Sequence, residues 1–240
     1  MCSSDLINSC YEELANRMSA YQQKMFMKRE TIANKGIWKA KKMYILNVYD
    51  SEGERYTEPK MKMMGVEAVR STTPEHAKKA IIDSFRIILN EDEKTLQNYV
   101  SEFRSTFNSL PLDEIGRISG VAGIEKYDRG NGAVADHCPI HVKAAITYNH
   151  MLTKKKLTNK YERIRSGDKL RYLNLVEPNP YNNSPVMAIV KPMPQEFGDV
   201  GKYVDYDEQF KKTYLNAVTS ITDVIDWKPE KTATLEDFFV

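Results

Sequence analysis

The chain has only three cysteines, Cys2, Cys10 and Cys138, with no paired spacing. That excludes a disulfide framework and fits a reducing, cytosolic setting. No apolar run approaches the roughly 20 residues a membrane span needs. The N-terminus lacks the apolar core of a secretory signal. Net charge is scarce too: 35 Lys and Arg against 33 Asp and Glu leave +2. A general nucleic-acid coat protein would be more basic, so any anion-binding role must come from local clustering. The sequence holds no P-loop, no dinucleotide glycine motif, no HExxH and no nucleophile elbow. It also has no internal repeat and no low-complexity run.

What is present is ordinary folded composition, 41% apolar and 28% charged over 240 residues, enough for one large domain or two modest ones. The first six residues, MCSSDL, look like a translated adaptor rather than a native start, and residues 1–6 are set aside as non-native. Ile7, Cys10, Leu14, Met18, Tyr21 and Met25 recur at three- and four-residue steps and predict a helix over 7–28. Gly36 breaks that pattern. Residues 42–50 alternate as a strand, DSEG at 50–53 reads as a turn with Gly53 at positive φ, and 54–64 return as a second strand. Pro59 in that strand predicts an edge or a bulge.

A domain boundary is expected near residue 66. Beyond it, Thr73 before Pro74 reads as a hydroxyl N-cap followed by proline at the first helical position. The stripe Ala77, Ile81, Phe85, Ile88 marks one helix. A second, restarting at Asn90, carries Leu96, Tyr99, Val100, Phe103 and Phe107, and the two should form an antiparallel pair. Residues 112–134 read as irregular and glycine-bearing, 139–153 as a helix, 169–176 and 186–191 as strands, and 207–226 as a helix. The fold class is α+β: a helix with antiparallel strands, then a mixed, largely helical domain.

Two motifs resemble metal sites. In HCPIH, His137, Cys138 and His141 lie close together, but Pro139 interrupts the helix that would align them, and no second pair completes a four-ligand set. Asp205-Tyr206-Asp207 has the spacing of paired metal carboxylates. It precedes a helix, where carboxylates cap free N–H groups and face the positive end of the dipole, and capping is the reading adopted. No catalytic or metal-ligating residue is therefore assigned.

Two features remain. Lysines mix with aromatics at Lys35/Trp38/Lys39/Lys41/Lys42/Tyr44 and at Lys126/Tyr127. Further basic groups stand at His137/His141/Lys143, Lys154–Lys156 and Lys211/Lys212. Each cluster suits a solvated face. Turned together toward one groove, they would grip a nucleic-acid backbone without reading its sequence. The tail, KTATLEDFFV, ends a polar stretch with Leu235, Phe238 and Phe239, which either dock on their own domain or wait for a partner's pocket.

The run WKAKKMYILNVYDSEGERYTEPKMKMMGVEAVRSTTP resembles the C-terminal part of a family B DNA polymerase of the T-even phage type. The likeness covers the end of the palm and the whole thumb. It runs from about residue 7 to the last residue and includes EPKMKMMG, STTP, IEKYD, CPIH, ITYN, the NP at 179–180 and the apolar-aromatic tail. The resemblance implies that residues 7–65 end the palm, 66–230 form the thumb and 231–240 form a sliding-clamp-binding peptide carried by Leu235, Phe238 and Phe239. It further implies that Lys41, Lys42 and Tyr44 lie against the primer-terminus duplex, with Lys39 beside them. Met43 departs from the pattern, standing where the family has an arginine. Lys126, Tyr127, His137 and His141 become DNA-facing by the same match, with Lys143 and Lys212 as further candidates.

The resemblance puts the metal-binding aspartates, the fingers lysines and the exonuclease upstream in the family. This chain alone is therefore expected to bind primer–template DNA but not extend it. Magnesium is expected only in the complete polymerase, and the cytoplasm of a bacterial host is the expected location. The expected partners are the duplex, the sliding clamp and an upstream palm, fingers and exonuclease part, with no membrane. The competing reading is a non-enzymatic accessory protein that binds duplex DNA and the clamp.

Overall fold

In the computed structural model the described residues, 3–231, divide into two units, one ending at Met64 and one beginning at Gly65. The first opens with helix α1 (Ser3–Arg17). The expected helix over 7–28 stops there, eleven residues short. Its continuation had nothing to bury: Met18, Tyr21 and Met25 are all exposed. An amphipathic stripe without a partner surface does not sustain a helix, because most helical stability comes from packing that stripe. Instead the chain turns back along α1. The Asn8 carboxamide donates to the Met27 carbonyl at 2.9 Å and accepts from the Met27 N–H at 2.7 Å.

Three antiparallel strands follow in the order β1 (Thr31–Ala40), β2 (Met43–Ser51), β3 (Glu54–Met64). β1 was not foreseen, because Gly36 was read as a break. Gly36 instead lies within the strand, opposite Leu46. A Cβ there would come within 2.5 Å of a Leu46 methyl and 2.8 Å of the Trp38 ring, so glycine is what lets that ring lie over the strand. The DSEG turn forms as expected, with Gly53 at φ +92° and the Asp50 carboxylate accepting from the Gly53 N–H at 3.1 Å. β3 is an edge strand. Between Arg55, opposite Asp50, and Lys60, opposite Val48, the register shifts, and Pro59 sits in the resulting bulge, where its missing N–H costs no ladder bond.

The second unit begins with a 3₁₀ turn (Glu67–Val69) and then α2 (Glu75–Asn90) and α3 (Glu93–Phe107). The Thr73 hydroxyl is not the N-cap of α2. It donates to the Glu67 carbonyl at 2.9 Å and ties the entry turn, while Pro74 occupies the cap position. α3 starts three residues after Asn90, capped by Asp92, whose carboxylate accepts from the Thr95 N–H at 2.8 Å. α2 and α3 pack on each other.

The span expected to be irregular, 112–134, holds α4 (Leu112–Ile115), β4 (Arg117–Gly120) and α5 (Ile124–Tyr127). β4 escapes notice because it is only four residues long and pairs with a strand some fifty residues later. It forms one edge of the antiparallel sheet β4–β5–β6, with β5 at Lys169–Asn174 and β6 at Val186–Ile189. Helix α6 (Ile140–Lys154) packs on β5 and β6.

The last helical stretch runs through α7 (Tyr206–Phe210), a π turn (Lys211–Leu215) and α8 (Asn216–Thr222). Asp205 caps it, accepting from the Glu208 N–H at 2.9 Å, and Asp207 pairs with Arg104 at 2.6 Å. Helix capping is thus the observed role of Asp205, while Asp207 in the first turn serves an ion pair.

An aromatic cluster, Phe103, Phe107, Phe210 and Tyr214, joins α3 to this helix, with ring centroids 4.7–6.0 Å apart. The fully buried Tyr214 hydroxyl shares a hydrogen bond of 2.6 Å with Ser84 of α2. Burial pushes the Tyr214 phenol far above the usual tyrosine range. Gln209, also fully buried, accepts from the Asn174 N–H and side-chain amide and donates to the Ile115 carbonyl at 2.7 Å. One amide thereby stitches the helix to β5 and α4, and among the described residues no buried side-chain polar atom lacks a partner.

Candidate nucleic-acid interface

In the first unit, Ala40 pairs with Met43, so Lys41 and Lys42 form the tip of the β1–β2 hairpin. Lys42 adopts φ +62°, the left-handed region that a side chain with a Cβ rarely enters and that costs of order 1–3 kcal/mol. The pairing on both sides holds it there. Lys35, Lys39, Lys41 and Lys42 are exposed and have no ion-pair partner among the described residues. Trp38 stands opposite Tyr44, its indole 61% exposed beside this charge. Met43 is half-buried at the first position of β2.

In the second unit, Gly123 at φ +68° starts α5, and the Ser166 hydroxyl fixes it from outside. That hydroxyl accepts from the Ile124 N–H at 3.1 Å and donates to the Glu125 carboxylate at 2.9 Å. Lys126 is exposed with its ammonium 5.3 Å from the Tyr127 ring centre. The chain then makes a tight loop closed by an Asp128–Val134 bridge, with the Ala135 N–H donating to the Tyr127 carbonyl at 2.8 Å. Gly130, Asn131 and Gly132 all take positive φ. A Cβ on Gly132 would meet the His150 ring at 2.8 Å, so that glycine lets the loop dock on α6.

The loop delivers His137, exposed at φ +57°, to the start of α6. His141 and Lys143 follow in the first turn, both half-buried. Burial lowers the His141 pKa below the usual histidine value, so it is a neutral imidazole at neutral pH, a hydrogen-bonding group rather than a cation. α5 packs on α6, so Lys126, Tyr127, His137, His141 and Lys143 belong to one local assembly. Arg129 is exposed in the same loop.

Lys212 is differently placed. Its ammonium lies 2.9 Å from Glu208 and 3.3 Å from the Asn174 side-chain oxygen, so it is already engaged within the fold. Leu235, Phe238 and Phe239 lie outside the described residues. His137, Cys138 and His141 gather no metal set: among the described residues no group of three or more His, Cys, Asp or Glu could hold an ion. No helix among the described residues is long and apolar enough to cross a membrane.

No protein-family model matches the chain. Comparison with curated proteins finds it 31% identical, over 98% of its length, to the DNA-directed DNA polymerase of Enterobacteria phage T4. It is 35% identical, over 97% of its length, to the DNA-directed DNA polymerase of Escherichia phage RB69. The chain spans 27% and 26% of those relatives, about a quarter of each. Along nearly its whole length, then, the chain is a relative of the DNA-directed DNA polymerases of T-even-type phages, matched to them over one segment.

Proposed function

We propose that this chain is the part of a family B phage replicative DNA polymerase that grips the primer–template duplex and carries the tether to the sliding clamp. In this reading the unit up to Met64 ends the palm, the unit from Gly65 is the thumb, and the tail with Leu235, Phe238 and Phe239 is the clamp peptide. The observation that carries it is similarity over nearly the whole chain to two DNA-directed DNA polymerases. The unpaired lysines at the hairpin tip and beside Tyr127 supply the means.

Lys39, Lys41 and Lys42 neutralise backbone phosphates and position the duplex without reading its bases. Tyr44, and Tyr127 with Lys126, set a phenol beside the charge. His137, neutral His141 and Lys143 contribute from the start of α6. Lys212, held by Glu208, is left out of the contact set. The two magnesium ions of a complete polymerase would be held by residues of its other segments. Alone, the chain binds DNA and does not extend it; an upstream palm, fingers and exonuclease part completes the enzyme inside the bacterial host.

Binding of the full chain to a primer–template duplex, followed by fluorescence anisotropy across salt, tests this. About five phosphate contacts give a log–log slope near −4.5, and Lys41→Ala with Lys42→Ala should make it shallower by about 1.8. Phe238→Ala with Phe239→Ala should abolish clamp binding and leave duplex affinity intact. A folded chain that does not bind duplex at low salt would refute the reading.

A further inference from the structure

The second unit also holds a basic stretch that the residues just assigned leave out. Between Lys154 and Lys169 the chain carries seven lysines and arginines against only Glu162 and Asp168, whereas the whole chain carries a net +2. One lysine at the end of α6 would be enough to face its negative dipole end, and Lys154 already does so. The remainder need another explanation.

The segment is a built loop. The Asn149 side chain of α6 donates to the Ile164 carbonyl at 2.8 Å and accepts from the Ile164 N–H at 2.9 Å. Arg163 donates to the Thr153 hydroxyl at 2.7 Å. The Leu157 N–H bonds the Leu152 carbonyl at 2.8 Å, and the Gly167 N–H bonds that of Val121 at 2.8 Å. Lys160 and Tyr161 both bond Glu196, at 2.7 and 3.0 Å, which holds that carboxyl down at about 2. Lys154, Lys155, Lys156, Arg165 and Lys169 are exposed with no side-chain partner among the described residues. The loop walls two adjoining clefts, of about 1180 and 860 Å³.

We propose that this loop is a second phosphate-contact surface, at the opposite end of α6 from His141 and Lys143, that takes the sugar–phosphate backbone of the same nucleic acid. The inference rests on the duplex-holding reading. Lys143 and Lys155 stand ~18 Å apart at 1.5 Å per residue, about five nucleotide steps of 3.4 Å. The patch is charged without being apolar: among the described residues no large hydrophobic between Ile140 and Val176 is exposed. A membrane-surface element needs apolar side chains to insert, and a protein interface needs apolar or aromatic anchors. A phosphate backbone is a partner that charge alone retains, and the vesicle arm of the test separates it from an anionic lipid surface.

The test compares the full chain with the Lys154→Ala/Lys155→Ala/Lys156→Ala variant, both checked for folding by circular dichroism, on one duplex across salt. A control replaces the exposed Lys79, Lys94 and Lys202 with alanine. The expected result is a slope shallower by up to ~2.7 for the loop variant and little changed for the control. If the unmodified chain binds steeply and the loop variant keeps its slope, the loop inference fails while the duplex-holding reading stands. If the unmodified chain does not bind duplex at low salt, both fail. Binding of the loop to phosphatidylserine vesicles with no contribution to duplex binding would also overturn it.

Discussion

The two units solve the burial problem differently. From Gly65 onward, α2, α3 and the last helix close over Phe85, Phe107, Phe210 and Tyr214, and α6 covers the β4–β5–β6 sheet. Among the described residues up to Met64, the buried apolar side chains are Ile45, Leu46 and Val48, all on β2. That unit exposes eleven of the fifteen large hydrophobics found exposed among the described residues. Hydrophobic stabilisation scales with apolar area removed from water, so the second unit has the means to fold on its own and the first has little. The difference teaches where each unit's order comes from: packing in the second, strand pairing and turn geometry in the first.

The largest effect that would sharpen this contrast is Phe210→Ala. It removes a fully buried ring that touches Phe103, Phe107 and Tyr214, and should cost about 3–5 kcal/mol. Hydrogen exchange should show protection lost across α2, α3 and α8 while β1–β2 amides change little. Uniform loss over both units would break the comparison.

Next is Gly36→Ala. Its methyl has no room beside Leu46 and Trp38, and overpacking of this kind costs about 1–3 kcal/mol. Here the β1–β2 amides should exchange faster while those of the second unit hold. Asp92→Ala removes the α3 cap and should lower second-unit stability by about 1 kcal/mol in denaturant melts, with no change in the first unit.

The smallest effect concerns pH. The folded His141 pKa lies below the unfolded value near 6.5, so the unfolded chain binds the proton more readily. Second-unit stability should therefore be fully present above about pH 6.5 and decline as pH falls through the folded pKa. His141→Gln should flatten that part of the profile. An unchanged profile would mean that burial of this imidazole is not what the acid limb reports.

Much of the fold was legible where local pattern and packing agree. The stripes of α2 and α3, the helix beginning after Pro139, the β2–β3 hairpin with its DSEG turn and Pro59 bulge, and Asp205 as a cap all follow from periodicity and turn chemistry. The readings that failed did so where tertiary surroundings overrode the local pattern. The stripe through Met18, Tyr21 and Met25 promised a helix, yet that face found nothing to cover it. β4 is a four-residue edge strand whose pairing partner lies some fifty residues away, so nothing local announces it, and β1 was hidden by Gly36, whose place in the strand depends on the Trp38 ring lying over it.

The same division holds for the candidate site. The sequence by itself determined which residues bear charge and aromatic surface: the lysines around Trp38, Lys126 beside Tyr127, the histidines around Pro139 and the run at Lys154–Lys156. Only the tertiary structure decided what each is free to do. Strand pairing put Lys41 and Lys42 at a hairpin tip, with Lys42 held at positive φ. Burial lowered the His141 pKa below the usual histidine value. Glu208 and Asn174 engaged Lys212, while Asn149 tied down the loop that presents Lys154–Lys169. Composition sets a side chain's chemistry; its availability depends on partners brought near by folding, some of them adjacent, as Glu208 is to Lys212, and some tens of residues away, as Asn174 is.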